Sequence, residues 1–296
     1  MPTGALELRR KMKSITNTHK VTKAMELIAA TKMRRAVRAV SASRAYVHGA
    51  LSILQKLSGS EGAQSHRLFE KRSLKRVAIV LISSNRGLCG GYNSAVANRA
   101  MKYIAQELSG VEIHGITLGK KGRDAMLRNK VFVGHDFPKS DLTLSGDSTV
   151  TVAHAVVAGF LAGEYDAVYV AFTDFVSSIR TVPTVIPLLP LSRDLLLKKP
   201  ETSENYEEPG GIDAVFEPDV TGVLDVILPR IVSATLYQCV LEAEASEHSS
   251  RMLAMKNASD AAHDYLGSLR MSYNQARQSS ITQEIAEISA GRAALE

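Results

Sequence analysis

At 296 residues the chain has room for one large domain or two of ordinary size, and 45% apolar with 22% charged residues excludes an intrinsically disordered polymer. No run of about 18 uninterrupted apolar residues occurs and no apolar segment follows the N-terminal charges, so neither a membrane span nor a secretory signal is expected. Cys89 and Cys239 are the only cysteines, too few for a disulfide framework and too far apart for a CxxC site, which fits a reducing compartment.

Charge is concentrated at one end. Residues 1–50 carry eleven Lys/Arg against Glu7 and Glu26, an excess of nine, whereas the whole chain's excess is only six. Such a segment is expected to meet something negative: nucleic acid, lipid or an acidic protein surface. Aromatic content is 5%, with no Trp, and leans towards long helices.

From about residue 5 to 57 there is no Pro and the only Gly is Gly49. Apolar residues recur in steps of four then three: Leu8, Met12, Ile15; Val21, Met25, Ile28; Met33, Val37, Val40; and Val47, Leu51, Leu54. The triplets do not hold strict heptad register from one to the next. A single helix of roughly 50 residues is predicted, about 75 Å at 1.5 Å per residue. Gly59, Gly62 and the polar residues around them end it.

The middle of the chain changes period. The run VAIVLI at 77–82 reads as a buried strand, followed by the Gly-rich RGLCGG at 86–91 and a helical pattern to Leu108. A second strand is predicted at 111–117, a helix at 149–163 and a third buried strand at 167–172. Strands alternating with helices indicate a parallel sheet covered by helices. VPTVIPLLP at 182–190 is an edge strand at best, because proline cannot donate to a ladder. Residues 193–217 read as a loop with some strand at its end.

After Pro218 and Asp219, helix-favouring sequence runs to about Gly291, stepping through Ala262, Leu266, Leu269, Tyr273 and Ala276, then Ile281, Ile285 and Ile288. Pro229 is expected to kink this helix or mark its true start. The two terminal stripes are expected to bury each other as an antiparallel coiled coil, the C-terminal helix outlasting its partner to leave a lone tip. The fold class is thus α/β plus long helices, with a Rossmann-like domain inserted between them. The domain boundaries read as 1–58, 74–217 and 218–296.

No chemistry of its own emerges. GxxGG at 87–91 lacks the dinucleotide spacing, and GITLGKK at 115–121 lacks both the P-loop spacing and its Ser/Thr. Both read better as tight turns. The eight His are dispersed, so no metal site is expected, and Cys89, Ser83 and Ser84 have no positioned base. No catalytic residue and no cofactor is assigned. For the basic helix, Tyr46 is the only aromatic available for base stacking and no Trp or Phe serves a membrane face, which leaves an acidic protein partner ahead of the alternatives.

Particular strings sharpen this: ITNTHKVTKAM at 15–25, AATKMRR at 29–35, RGLCGG at 86–91, PTVIPLLP at 183–190 and YNQARQSSITQEIAEI at 273–288. Together, in order and over essentially the whole chain, they resemble the gamma subunits of F-type ATP synthases. The resemblance implies a central rotor shaft that transmits torque between a membrane c-ring and an alpha/beta hexamer, with an epsilon subunit as further partner and no nucleic acid. It implies contact with the beta-subunit lever loop through Lys23, Met25, Lys32, Arg34 and Arg35. Contact with a second beta-subunit loop, below the tip, is implied for Arg277, Gln278, Thr282 and Gln283. The implied location is peripheral, at the cytoplasmic face of a bacterial inner membrane, without insertion. Asn85 stands where many members have Asp, the tail after Ser289 is longer and more charged than a plain Gly/Ala ending, and the chloroplast cysteine pair is absent. The alternative reading is a nucleic-acid-binding protein with a helical-hairpin arm.

Overall fold

The computed structural model describes residues 3–57, 66–137, 139, 147–191 and 220–293. In chain order these form α1 (Thr3–Leu57), a 3-10 turn (Arg67–Phe69), β1 (Arg76–Ile82), α2 (Tyr92–Glu107), β2 (Glu112–Leu118), α3 (Lys120–Arg128), β3 (Phe132–Phe137), α4 (Asp147–Ala162), β4 (Ala167–Phe175), β5 (Thr181–Leu189) and α5 (Val220–Ala293). Two compact units result, one of Met1–Thr31 with Arg251–Glu296 and the other of Lys32–Ser250. Both long helices contribute to each unit.

The larger unit is built on a five-stranded sheet in the order β3-β2-β1-β4-β5. The first four strands run parallel and β5 is antiparallel to β4. β1 is central and buried from Val77 to Ile82, which is why its sequence reads as continuous rather than alternating. Ala78, Val80 and Ile82 face one layer, made by α4 and the first part of α5. Val77, Ile79 and Leu81 face the other, where Val96 and Ala100 of α2 and Met126 of α3 pack. The expected edge strand is β5, and Pro183 and Pro187 fit there because the outer edge needs no donors. α3 and β3 carry no clear periodic signal: β3 is half polar and mostly exposed.

Pro229 lies inside α5 instead of at its start, since the helix begins nine residues earlier at Val220. Leu224, Leu228, Ile231, Val232, Leu236 and Val240 bury its first part. That packing supplies the stabilisation that a proline-interrupted helix lacks on its own. The predicted loop at 193–217, Asp219 and the side chains of Val47, Leu51 and Leu54 lie outside the described residues.

In the smaller unit, His19 of α1 meets His263 of α5, ring centroids 5.9 Å apart. In the larger unit Ala36 and Val40 of α1 cluster with Leu241 and Ala245 of α5. Each unit thus pairs a segment of α1 with a segment of α5, as expected of a coiled coil of the terminal helices. The seam itself corrects the sequence reading. On α1 the positions turned inward are 8, 12, 15, 19, 22, 26, 29, 33, 36 and 40, a strict four-three repeat. It runs through His19, Thr22, Glu26 and Ala29, while Val21 and Ile28, assigned to the seam by their apolarity, are each 58% exposed. On α5 the inward positions are 252, 255, 259, 262, 266, 269, 273, 276 and 280, again a strict repeat. Burial ends there, and Ile281, Ile285 and Ile288 are exposed.

Candidate functional site: the outward faces of the terminal helices

The outward side of α1 is mixed. Lys20, Lys23, Lys32, Arg34, Arg35 and Arg38 are all exposed, and Met25 is half-buried beside the seam. Lys23 Nζ lies 3.0 Å from Glu26 Oε2 one turn on, an exposed pair of the kind worth at most about 1 kcal/mol. Within the smaller unit, helical spacing stacks Lys23 beside Leu27 and Val21 beside Ile28, while Arg34 and Arg35 belong to the segment of α1 in the larger unit. Leu27 is 59% exposed, so three large apolar side chains sit in water among the bases. Sequence reasoning missed these three as surface residues; the signal available was the strict heptad, which leaves them no place in the seam. An apolar patch rimmed by cations suits an acidic partner with an apolar centre.

The second place to test is the end of the sheet. Between β1 and β4 the strand order reverses, and the crevice beyond their carboxyl ends is where doubly wound folds bind ligands. Here it is filled. Tyr92 Oη donates to Ala243 O at 3.1 Å, and Ser246 Oγ donates to Thr173 O at 3.0 Å. Ser249 Oγ donates to Ser178 O, and Lys139 Nζ donates to Glu247 Oε2 at 2.6 Å. α5 therefore crosses the strand ends, with residues 241–249 buried without interruption.

Within the glycine-rich turn, several polar groups meet one another. Ser84 Oγ donates to Arg86 O at 2.6 Å, and Asn93 Nδ2 donates to both Ser84 Oγ and the Cys89 sulfur. Cys89 is buried in this network. The start of α3 is likewise occupied: Ser83 Oγ accepts from Gly122 N at 2.7 Å and donates to Gly119 O at 3.0 Å. Gly119 has φ 106° and a Cβ there would stand 2.5 Å from Ser83 O, so this glycine serves close packing of helix on strand.

Among the described residues, the sheet end is filled by α5, and the exposed basic and apolar side chains of α1 and α5 lie on the outward faces of the two helices. A family model described as ATP synthase matches residues 5–295. The ATP synthase gamma chain of Pelotomaculum thermopropionicum is 38% identical over 290 residues, covering 98% of both chains. The chain belongs to the ATP synthase gamma-chain family. That of Ralstonia nicotianae is 37% identical over 294 residues, covering 99% of each. Among solved structures, the central stalk and c-ring of Tetrahymena thermophila mitochondrial ATP synthase contains a chain of TM-score 0.62 at 25% identity, covering 81% of this chain and 99% of that one. A chain of the Euglena gracilis mitochondrial enzyme matches in fold, with TM-score 0.66 at 18% identity over 100% of this chain and 95% of its own. The chain is accordingly a central-stalk subunit, non-catalytic within its complex, and nothing in these matches supports a nucleic-acid-binding arm.

Of the four residues expected near the tip, Arg277, Gln278, Thr282 and Gln283 are all exposed. Gln283 Nε2 donates to Glu287 Oε1 at 3.0 Å along the helix. Beyond Ser280 every described side chain through Ala290 is exposed. At Asn85, Nδ2 donates to Lys139 O and Oδ1 accepts from Lys120 N at 3.4 Å. An aspartate there could not make the first bond. The tail after Ala293 lies outside the described residues.

Proposed function

We propose that the chain carries torque between a membrane-embedded ring and a catalytic hexamer of alpha and beta subunits, with an epsilon subunit at its side. The observation that supports this most is the outward face of α1, where Val21, Leu27 and Ile28 are exposed among Lys23, Lys32, Arg34 and Arg35. Lys23, Met25, Lys32, Arg34 and Arg35 take an acidic beta-subunit loop, while Arg277, Gln278, Thr282 and Gln283 take a second loop nearer the tip. The shaft reads as 1–58 with 218–296 and its foot as 74–217. The complex sits at the cytoplasmic face of a bacterial inner membrane, coupled to hydrogen-ion transport. α5 contains one 18-residue window apolar enough to cross a membrane, yet its first part packs on the sheet and a later part on α1, which supports a peripheral role.

The energetics suit a shaft. About three to four protons crossing roughly 150 mV supply about 10–14 kcal/mol per step at ~2.3 kcal/mol per charge per 100 mV. Each charge-assisted contact contributes about 1.5–3 kcal/mol, so several can be broken and remade in one step. Neutralising Lys23, Arg34 and Arg35 together tests the reading. Coupled ATP synthesis should fall in a salt-dependent way, and unchanged synthesis would count against it. Co-purification from native membranes should bring alpha, beta and epsilon-type partners with the chain; its isolation alone would count against the assembly.

A further inference from the structure

We propose that the buried Lys139–Glu247 pair is a register key, fixing the rotational setting at which α5 crosses the strand ends and hence the phase at which torque enters the shaft. The clause about torque rests on the central-stalk reading; the register itself does not.

Lys139 Nζ is 2.6 Å from Glu247 Oε2, with the side chains 5% and 10% exposed. Removing two charges from water costs about as much as their attraction returns, so such a pair is a poor source of stability. What it does supply is direction. Apolar contacts are non-directional, and a heptad seam repeats itself every seven residues, so apolar packing alone tolerates a helix that slips or turns. A one-turn slip that brings Ser250 or Arg251 opposite Lys139 would leave both charges buried and apart, and the opposite slip, which would offer Glu244 instead, breaks the bonds of Tyr92, Thr173 and Ser178 to α5.

Other directional contacts agree on the same setting from different parts of the sheet end. Tyr92 comes from α2, Thr173 from β4 and Ser178 from the turn after β4, and each bonds to residues 243, 246 or 249. Lys139 is itself held in place. Its carbonyl accepts from Asn85 Nδ2, and Asn85 Oδ1 accepts from Lys120 N, so the turn after β1 and the start of α3 together locate the key. The amide at 85 is then a positioning group, because a carboxylate has no N–H to donate.

The experiment uses the assembled complex with spin labels on the exposed positions Asn98→Cys of α2 and Arg230→Cys of α5, both in the larger unit. Lys139→Met with Glu247→Leu should broaden the label-to-label distance distribution about twofold. Protons pumped per ATP hydrolysed should fall about twofold or more, while hydrolysis itself changes by less than about 1.5-fold. The exchanged pair, Lys139→Glu with Glu247→Lys, should restore both the width and the pumping ratio, and it carries the test should the apolar pair fail to fold. A distribution as narrow as the parent's, or one that stays broad in a folded exchange variant, overturns the key. Broadening with an unchanged pumping ratio overturns its use in torque. Failure of the parent chain to assemble with partner subunits overturns the central-stalk reading instead, and the distance comparison on the full chain still decides the register.

Discussion

Two stretches of α5 behave in opposite ways. Residues 241–249 are buried on every side although they include Glu242, Glu244, Glu247 and His248, whereas residues 281–290 are exposed on every side although they include Ile281, Ile285 and Ile288. Hydropathy would assign them the other way round. The difference shows that this helix is organised by what lies beside it: a sheet end with polar groups to meet in one place, and no neighbour among the described residues in the other. Polar residues are buried where bonds locate the helix, and apolar ones are left exposed where the proposed function calls for a partner surface.

The largest effect that would break this contrast is expected at Leu241, fully buried against Ala36 and Val40. Leu241→Ala should cost about 2–5 kcal/mol, read from denaturant unfolding, through lost transfer energy and the cavity left behind. Ile281→Ala, the same kind of truncation at a 48% exposed site, should stay within about 0.5 kcal/mol. Equal costs at the two positions would erase the distinction.

A second test concerns acid. Burial alone would raise the Asp166 carboxyl, but the backbone N–H groups of Arg76 and Lys75 and the charges of Arg76 and Arg72 outweigh it and hold it below the ordinary range. A depressed folded value means the stabilisation is present above the unfolded carboxylate pKa of about 3.9 and is lost as pH falls through the folded value. Asp166→Asn should therefore cost about 1–2 kcal/mol near neutrality, and the gap between variant and parent should begin to shrink as pH falls below about 4. A gap undiminished as pH falls through the acid range would show that the carboxylate's charge is not what matters.

The smallest structural effect with the largest functional one is expected near the tip. Arg277→Ala with Gln278→Ala removes exposed groups and should leave stability within about 0.5 kcal/mol while depressing ATP hydrolysis by the complex sharply. Truncation after Ile288 should leave hydrolysis largely intact. The reverse order, a silent double substitution and a severe truncation, would refute the division into a grip and a loose bearing.

Much of this was legible in the sequence. Long helices at both ends, the buried β1 and β4, and β5 as a proline-marked edge all follow from period and turn chemistry. The seam was legible only in part. Choosing the largest apolar residue in each turn selects Val21 and Ile28, but an antiparallel pair is set by spacing, and spacing places His19, Thr22, Glu26 and Ala29 inside. α3 and β3 escaped because β3 is held mainly by its ladder to β2 and by ion pairs such as Arg123 Nη1 to Asp136 Oδ2 at 3.0 Å, neither of which has an apolar signature. The helix crossing at the strand ends escaped for a different reason. Its polar residues look like a solvated surface until the groups they meet, from four separate segments, are brought together by the fold.

The central claim, that the apolar and basic outer face of α1 is a partner surface and its heptad face is not, is tested most directly by hydroxyl-radical footprinting of the chain alone and within the assembled complex. Val21, Leu27 and Ile28 should lose most of their reactivity on assembly, while Met255 and Leu266, already buried within the chain, should react little in either state. Val21, Leu27 and Ile28 reacting as strongly in the complex as in the free chain would contradict the account.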